Sequence, residues 1–302
     1  MAPVQGTLHK YDARHVAFEH AAASPGRHLL LFIGGLTDGL LTTPYTTQLA
    51  QRLPAGWSLA QVLLSSSYDG FGCASVQLDV AELAACVRYF QHEQGKQTIV
   101  LLGCSTGCQD TLTYLLAPGV PRVRAGILQA PVSDREALSL LMAPGQLREA
   151  IQAAQAISSA ENGKDKDKDG RKTTLPPHLL PSFMAVPMTA YRFLSLASPN
   201  HDGDDDLFSS DLTDAQLART FGAIPAATPL CILYSGSDQF VPDTVDKEAL
   251  VQRWIAASRA GTGAVDEAFS GVVPGATHTM EGAPQASLDD FFDRVGWFLQ
   301  KL

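Results

Sequence analysis

The sequence predicts an α/β fold, a mostly parallel sheet with helices on both faces, and three observations carry that prediction. Residues 29–33, 98–102 and 229–234 are short, almost unbroken apolar runs, the pattern of strands buried on both faces rather than one. These runs alternate with segments whose apolar residues recur at helical spacing, as Val76, Val80, Leu83 and Val87 do, and such alternation argues for parallel strands joined by crossover helices. The runs also end in small or polar residues, Gly34-Gly35 and Ser235-Gly236 among them, at the sheet edge where ligands bind in this architecture.

In order, residues 16–19 form a first short strand and residues 29–33 a buried one. Residues 42–53 form a helix with Pro44 in its first turn. A strand at 57–64, a polar Gly-bearing loop at 65–72 and a helix at 76–91 follow. Next come the strand at 98–102, a helix at 109–116 and a strand at 123–128. From residue 135 the alternation stops. Helices are expected at 136–142, 145–157 and 188–197, between Pro-punctuated segments. Residues 158–172 are polar and charged and read as a mobile surface loop. Their Asp165-Lys166-Asp167-Lys168-Asp169-Gly170 imitates the start of a calcium loop, but Pro176 stands where the closing Glu belongs. The core resumes with the strand at 229–234, a helix at 245–258, a strand ending near Val273 and a helix at 286–299. The expected division is therefore a core of residues 1–134 and 228–302, with residues 135–227 inserted as a lid.

Composition sets bounds. A chain of 302 residues, 45% hydrophobic and 18% charged, matches an ordinary globular protein with ample core. Its net charge of −9 disfavours nucleic acid and is compatible with a cationic ligand. No apolar run reaches the roughly 20 residues of a membrane span, so no membrane insertion is expected. No basic leader precedes an apolar core, which makes the cytoplasm the expected compartment. Cys73, Cys86, Cys104, Cys108 and Cys231 fit no disulfide or zinc spacing. They read as reduced thiols, and no metal or cofactor is expected.

The chemistry centres on Gly103-Cys104-Ser105-Thr106-Gly107. A G-x-S-x-G run between a strand and a helix places the serine on a sharp, strained turn with its hydroxyl exposed. The N–H of Thr106 then points, at a helix N-terminus, where an oxyanion would form. A second donor is expected from the loop after residues 29–33, from the N–H of Leu36 with Gly35 as the neighbouring option. A serine hydroxyl needs a base, and the base needs an orienting carboxylate. Asp238 and His278 follow later strands at the same edge, in the order Ser…Asp…His. Asp134 is the alternative acid. His201 and His178, inside the insertion, are weaker alternatives for the base. Gly35, Thr37, Tyr68 and Asp134 are the candidate substrate contacts.

With these motifs placed, the chain resembles the α/β-hydrolase superfamily over nearly its whole length. More narrowly, it resembles a mostly fungal family that includes intracellular esterases of fusarinine-type siderophores. The resemblance rests on Phe32-Ile33-Gly34-Gly35-Leu36-Thr37-Asp38-Gly39, Ser66-Ser67-Tyr68-Asp69-Gly70-Phe71-Gly72, Ser105-Thr106-Gly107-Cys108-Gln109-Asp110 and Gln129-Ala130-Pro131-Val132-Ser133-Asp134-Arg135-Glu136. Similar proteins often carry His where this chain has Cys104. The resemblance implies a serine esterase acting on a small-molecule ester, a ferric siderophore, to release iron. A thioesterase or general lipase, a lyase, and a non-catalytic binding protein on the same scaffold remain open. The acidic loop with Asp202, Asp204, Asp205 and Asp206 is expected near the entrance, where its field would favour a siderophore with free amines.

Overall fold

The computed structural model describes residues 3–21, 26–162, 170–184 and 186–302. In chain order its elements are β1 (Gly6–Lys10), β2 (Val16–His20), β3 (His28–Ile33), α1 (Thr46–Arg52), β4 (Trp57–Val62), α2 (Val76–His92), β5 (Thr98–Cys104), α3 (Thr106–Leu116), β6 (Ala125–Gln129), α4 (Asp134–Leu141), α5 (Pro144–Asn162), α6 (Ala190–Ala197), α7 (Asp214–Arg219), β7 (Leu230–Ser235), α8 (Lys247–Ala260), β8 (Gly271–Val273) and α9 (Gln285–Lys301). The strands form one sheet in the order β1-β2-β4-β3-β5-β6-β7-β8. Every pairing from β4 to β8 is parallel, and β1 and β2 join antiparallel at one edge.

The strands alternate their side chains between two cores. Leu29, Leu31 and Ile33 of β3 pack with Leu101 of β5 and the apolar face of α2 on one side. Leu30 and Phe32 pack with Val100 and Leu102, Tyr45 and the α9 residues Phe291 and Phe298 on the other. Burial on both faces is why these strands read as unbroken apolar runs. A third cluster lies in the region between β6 and β7, where Leu138, Ala150, Met184, Phe193 and Leu196 close over Phe71.

The structure departs from the sequence reading at several elements. The strand β1 escaped it because the strand sits at the sheet edge, with His9 its only buried residue, so no period-two apolar signal exists. Helix α1 begins at Thr46 rather than residue 42. Thr42 is held by the preceding loop, its hydroxyl donating to Asp38 Oδ1 (2.8 Å) and accepting from Gly39 N–H (2.9 Å). Helix α7 was missed although it carries a capping box, Thr213 with Gln216, a readable start signal. The expected charged loop at 158–172 is partly helix, because α5 continues to Asn162. Residues 163–169, with the calcium-loop imitation, lie outside the described residues. Gly170 O accepts from Tyr191 N–H at 3.1 Å.

Candidate active site

The β5–α3 turn builds the centre of the site. Ser105 adopts φ 55°, ψ −123°, a region that costs a non-glycine residue about 1–3 kcal/mol and persists only when its surroundings enforce it. Here they do: Ser105 N–H donates to Gln129 O (3.1 Å), and Cys108 N–H donates to Ser105 O (2.8 Å). Gly107 makes the turn possible, since a Cβ there would lie 2.3 Å from Ile33 O and 2.7 Å from Gly34 O. Helix α3 therefore starts at Thr106, three residues before the expected 109, and is pressed against the end of β3.

The β7 and β8 loops bring in the other two side chains. His278 Nε2 is 2.8 Å from Ser105 Oγ, and its Nδ1 is 2.8 Å from Asp238 Oδ2. A carboxylate only accepts, so the ring proton belongs on Nδ1 and Nε2 is left to accept from the serine hydroxyl. Asp238 and His278 are both buried. Asp238 Oδ1 accepts from Phe240 N–H at 3.0 Å. The Phe240 ring stands edge-on to the imidazole, centroids 4.7 Å apart.

Two glutamines that the sequence analysis does not name as site residues hold this arrangement. Gln129, fully buried at the end of β6, donates to His278 O (2.9 Å) and Ser235 Oγ (3.3 Å) and accepts from Tyr45 Oη (3.1 Å). Gln239 Oε1 accepts from His278 N–H at 3.2 Å. Both side chains fix the backbone of the histidine loop rather than its ring. The signal was present for Gln129, because it opens one of the motifs that carry the family resemblance.

The two oxyanion candidates separate by their partners. Gly35 N–H is taken, donating to Asp38 Oδ2 at 2.9 Å. Neither Leu36 N–H nor Thr106 N–H has a protein acceptor among the described residues. Thr106 is the first residue of α3, where the N–H has no intrahelical partner.

Ser105 and His278 open onto a cavity of about 260 Å³ lined also by Gly35, Leu36, Thr37, Asp134 and Phe240. Leu138, Leu141, Phe183, Met184 and Leu196 form its far wall, all from the region between β6 and β7. Tyr68, expected to touch substrate, is not in that lining. Its backbone N–H donates to Asp38 O (2.9 Å) and its hydroxyl accepts from Leu40 N–H (3.0 Å). Tyr68 thus braces the outer side of the Gly34–Gly39 loop, pressed so close to Gly39 that a Cβ there would lie 2.0 Å from its ring. His178 and His201 also stand away from the cavity lining, and His201 Nδ1 pairs with Asp206 at 2.7 Å.

The acidic loop is spent internally, which corrects its expected place at the entrance. Asp202 accepts from Ser198, Asp204 from Tyr191, and Asp206 from Ser209. Asp205, 1% exposed, pairs with Arg192 Nη1 at 2.5 Å. None of the four lines the cavity. Arg192, also 1% exposed, donates from Nε to Phe71 O at 3.1 Å. The carboxyls of Asp79, Asp110 and Asp134 stand in the field of this one guanidinium. Burial pushes all three up, Asp79 to about 7, Asp134 to about 8 with help from neighbouring Asp205, and Asp110 well above the carboxylate range. Asp134 sits in the first turn of α4, where the helix dipole favours an anion by about 0.3–1 kcal/mol. The thiols of Cys104 and Cys108 are buried and likewise raised by burial. Cys104 packs beneath the turn in the core with Phe32 and Tyr45.

Fold and site together define an α/β-hydrolase. Residues 1–300 match the family described as "Protein of unknown function (DUF1749)", and the chain belongs to that family. An esterase of Emericella nidulans is 37% identical, the alignment covering 98% of this chain and 92% of the relative. A fusarinine C esterase of Aspergillus fumigatus is 36% identical, covering 95% and 92%. Among solved structures, a siderophore hydrolase from Aspergillus fumigatus superposes with a TM-score of 0.81 at 35% identity, covering 99% of this chain and 98% of that one. The family with siderophore esterases, read from the sequence motifs, is the one these matches return. No helix among the described residues is long and apolar enough to cross a membrane.

Proposed function

We propose that this chain is a serine esterase that cleaves ester bonds of a ferric fusarinine-type siderophore in the cytoplasm. The observation that carries the chemistry is the Ser105–His278–Asp238 hydrogen-bond chain, with both links at 2.8 Å. Ser105 Oγ attacks the ester carbonyl as His278 Nε2 takes its proton. Asp238 holds the imidazole and stabilises its charged form. The N–H groups of Leu36 and Thr106 receive the oxyanion. The histidine then passes the proton to the leaving alcohol and activates the water that frees the enzyme. The substrate follows from the relatives named for siderophore hydrolysis. A cavity of about 260 Å³ lies just below the roughly 300–1,000 Å³ of drug-sized sites. It would receive one ester arm, with the caged iron at the mouth. Cleaving an arm loosens the cage so that iron can leave. Residues 135–227 act as the lid, supplying the apolar wall. Five free cysteines suit a reducing compartment.

Incubating the protein with a panel of ferric siderophores and weighing the products tests this reading. Linear hydroxy-acid fragments from fusarinine-type esters are expected. Turnover of acyl thioesters or long-chain lipids, with no siderophore cleavage, would replace the substrate assignment. A second expectation concerns Gly35, where a Cβ would lie 2.7 Å from Ser105 Cβ and 3.3 Å from its Oγ. Gly35→Ala should push the serine off its line to His278 and lower kcat at least about tenfold, while costing about 1–3 kcal/mol of stability. Kinetics and urea denaturation on the same sample check it. An unchanged kcat would mean that the loop, not the serine, gives way.

A further inference from the structure

We propose that Asp134 is a specificity residue of the cavity that binds substrate as a neutral carboxylic acid, its O–H donating to a carbonyl oxygen of the siderophore. The inference rests on the esterase reading and assigns how that site recognises its substrate.

Four observations lead there. Asp134 lines the same cavity as Ser105. Its Oδ2 accepts from Gln109 Nε2 at 2.7 Å, which fixes the carboxyl in one orientation. Its Oδ1 has no hydrogen-bond partner among the described residues and is not among the solvent-inaccessible orphan atoms, so it is open to a ligand. The wall beside it is apolar, with Val132, Ala137 and Leu138 near it in the chain, so an ionised carboxylate there would lose the water at Oδ1 once a substrate fills the cavity.

The charge balance around it points the same way. Asp134 is faced by Asp205, Asp206 and Arg192 from the region between β6 and β7. Asp110 and Cys108 approach from α3, and Asp79 of α2 acts on Asp110 in turn. Arg135 and Glu136 neighbour it in α4, and Arg135 is drawn away to Asp206 and Asp211. His278 shares the cavity but is engaged by Asp238. Arg192 is committed to Asp205 at 2.5 Å. Asp79 Oδ1 and Asp110 Oδ1 are buried without partners. One committed guanidinium cannot balance four carboxylates, so protons must. Asp134, raised to about 8, is the cavity-lining member of the group and keeps its proton below that pH. A neutral acid held so in an apolar site is a hydrogen-bond donor. Its target is an acceptor oxygen, not an ammonium group.

The test follows KM and kcat for a ferric fusarinine-type ester between pH 5.5 and 9.5. In the wild type KM should rise above about pH 8 as the proton leaves, with kcat holding. Asp134→Asn keeps an N–H donor and should flatten that alkaline rise. Asp134→Leu removes the donor and should raise KM about tenfold below about pH 8, with the gap to the wild type closing above it as the wild type loses its own donor. The infrared difference spectrum, wild type minus Asp134→Asn at pH 7, should contain the carbonyl band of an un-ionised acid, whatever the kinetics show. A carboxylate band there instead, or an alkaline rise that persists in Asp134→Asn, overturns the proposal. Labelling of Ser105 by a fluorophosphonate reads the esterase separately. Absent labelling in the wild type sinks the esterase reading. Intact labelling with an unmoved KM in Asp134→Leu sinks this one.

Discussion

Replacing Ser105 by alanine is expected to remove at least about three decades of kcat, the scale on which nucleophile losses in such triads fall. The strained backbone makes this a clean experiment. Ser105 holds φ 55° because Gln129 O and Cys108 N–H clamp it, and alanine makes the same backbone bonds. The fold should therefore survive, and circular dichroism with a denaturation midpoint near the wild type would establish that the loss is chemical. A well-folded Ser105→Ala protein that still hydrolysed the siderophore near the wild-type rate would take the nucleophile elsewhere.

Asp238→Asn should cost about 10⁴ in kcat. The amide can present its N–H to His278 Nδ1, which favours the tautomer with the proton on Nε2, and Nε2 then no longer accepts from Ser105. The neighbouring contacts make the loss specific, since Phe240 N–H still finds an oxygen at Oδ1. Asp134→Asn should cost far less, because Asp134 hydrogen-bonds Gln109 and not the imidazole. Measuring both variants on one ester settles the acid. The opposite ranking would give that role to Asp134.

How much of this was readable depended on whether a signal was local. The Ser105 turn is a five-residue pattern between a buried strand and a helix, and the sterics of that turn fix its spacing. Asp238 and His278 were readable through chain order and their places after strands. The supports were not. Gln129 acts on a carbonyl 149 residues away, and Arg192 on one 121 residues away, and no period or motif encodes such pairings. Tyr68 was misplaced for a related reason. Its loop neighbours the site, but the sequence does not say on which side of the Gly34–Gly39 loop the ring falls. The cluster Asp202, Asp204, Asp205 and Asp206 reads in the sequence as an acidic loop near the entrance. Composition cannot tell a carboxylate facing water from one buried against an arginine.

Arg192 has a mechanical consequence. It rivets α6 to the core: its Nε bonds Phe71 O, and close by Thr189 N–H donates to Gly72 O at 2.8 Å. The buried ion pair of Arg192 with Asp205, internal to residues 135–227, holds the guanidinium in that place. Two hydrogen bonds thus tie the inner half of residues 135–227 to Phe71 and Gly72. Compliance falls instead on the outer rim, where Leu141 and Phe183 are 42% and 46% exposed and no comparable pair pins them among the described residues. Admission of a bulky ester is expected to be paced by side-chain and short-segment motion, on a scale of nanoseconds to microseconds.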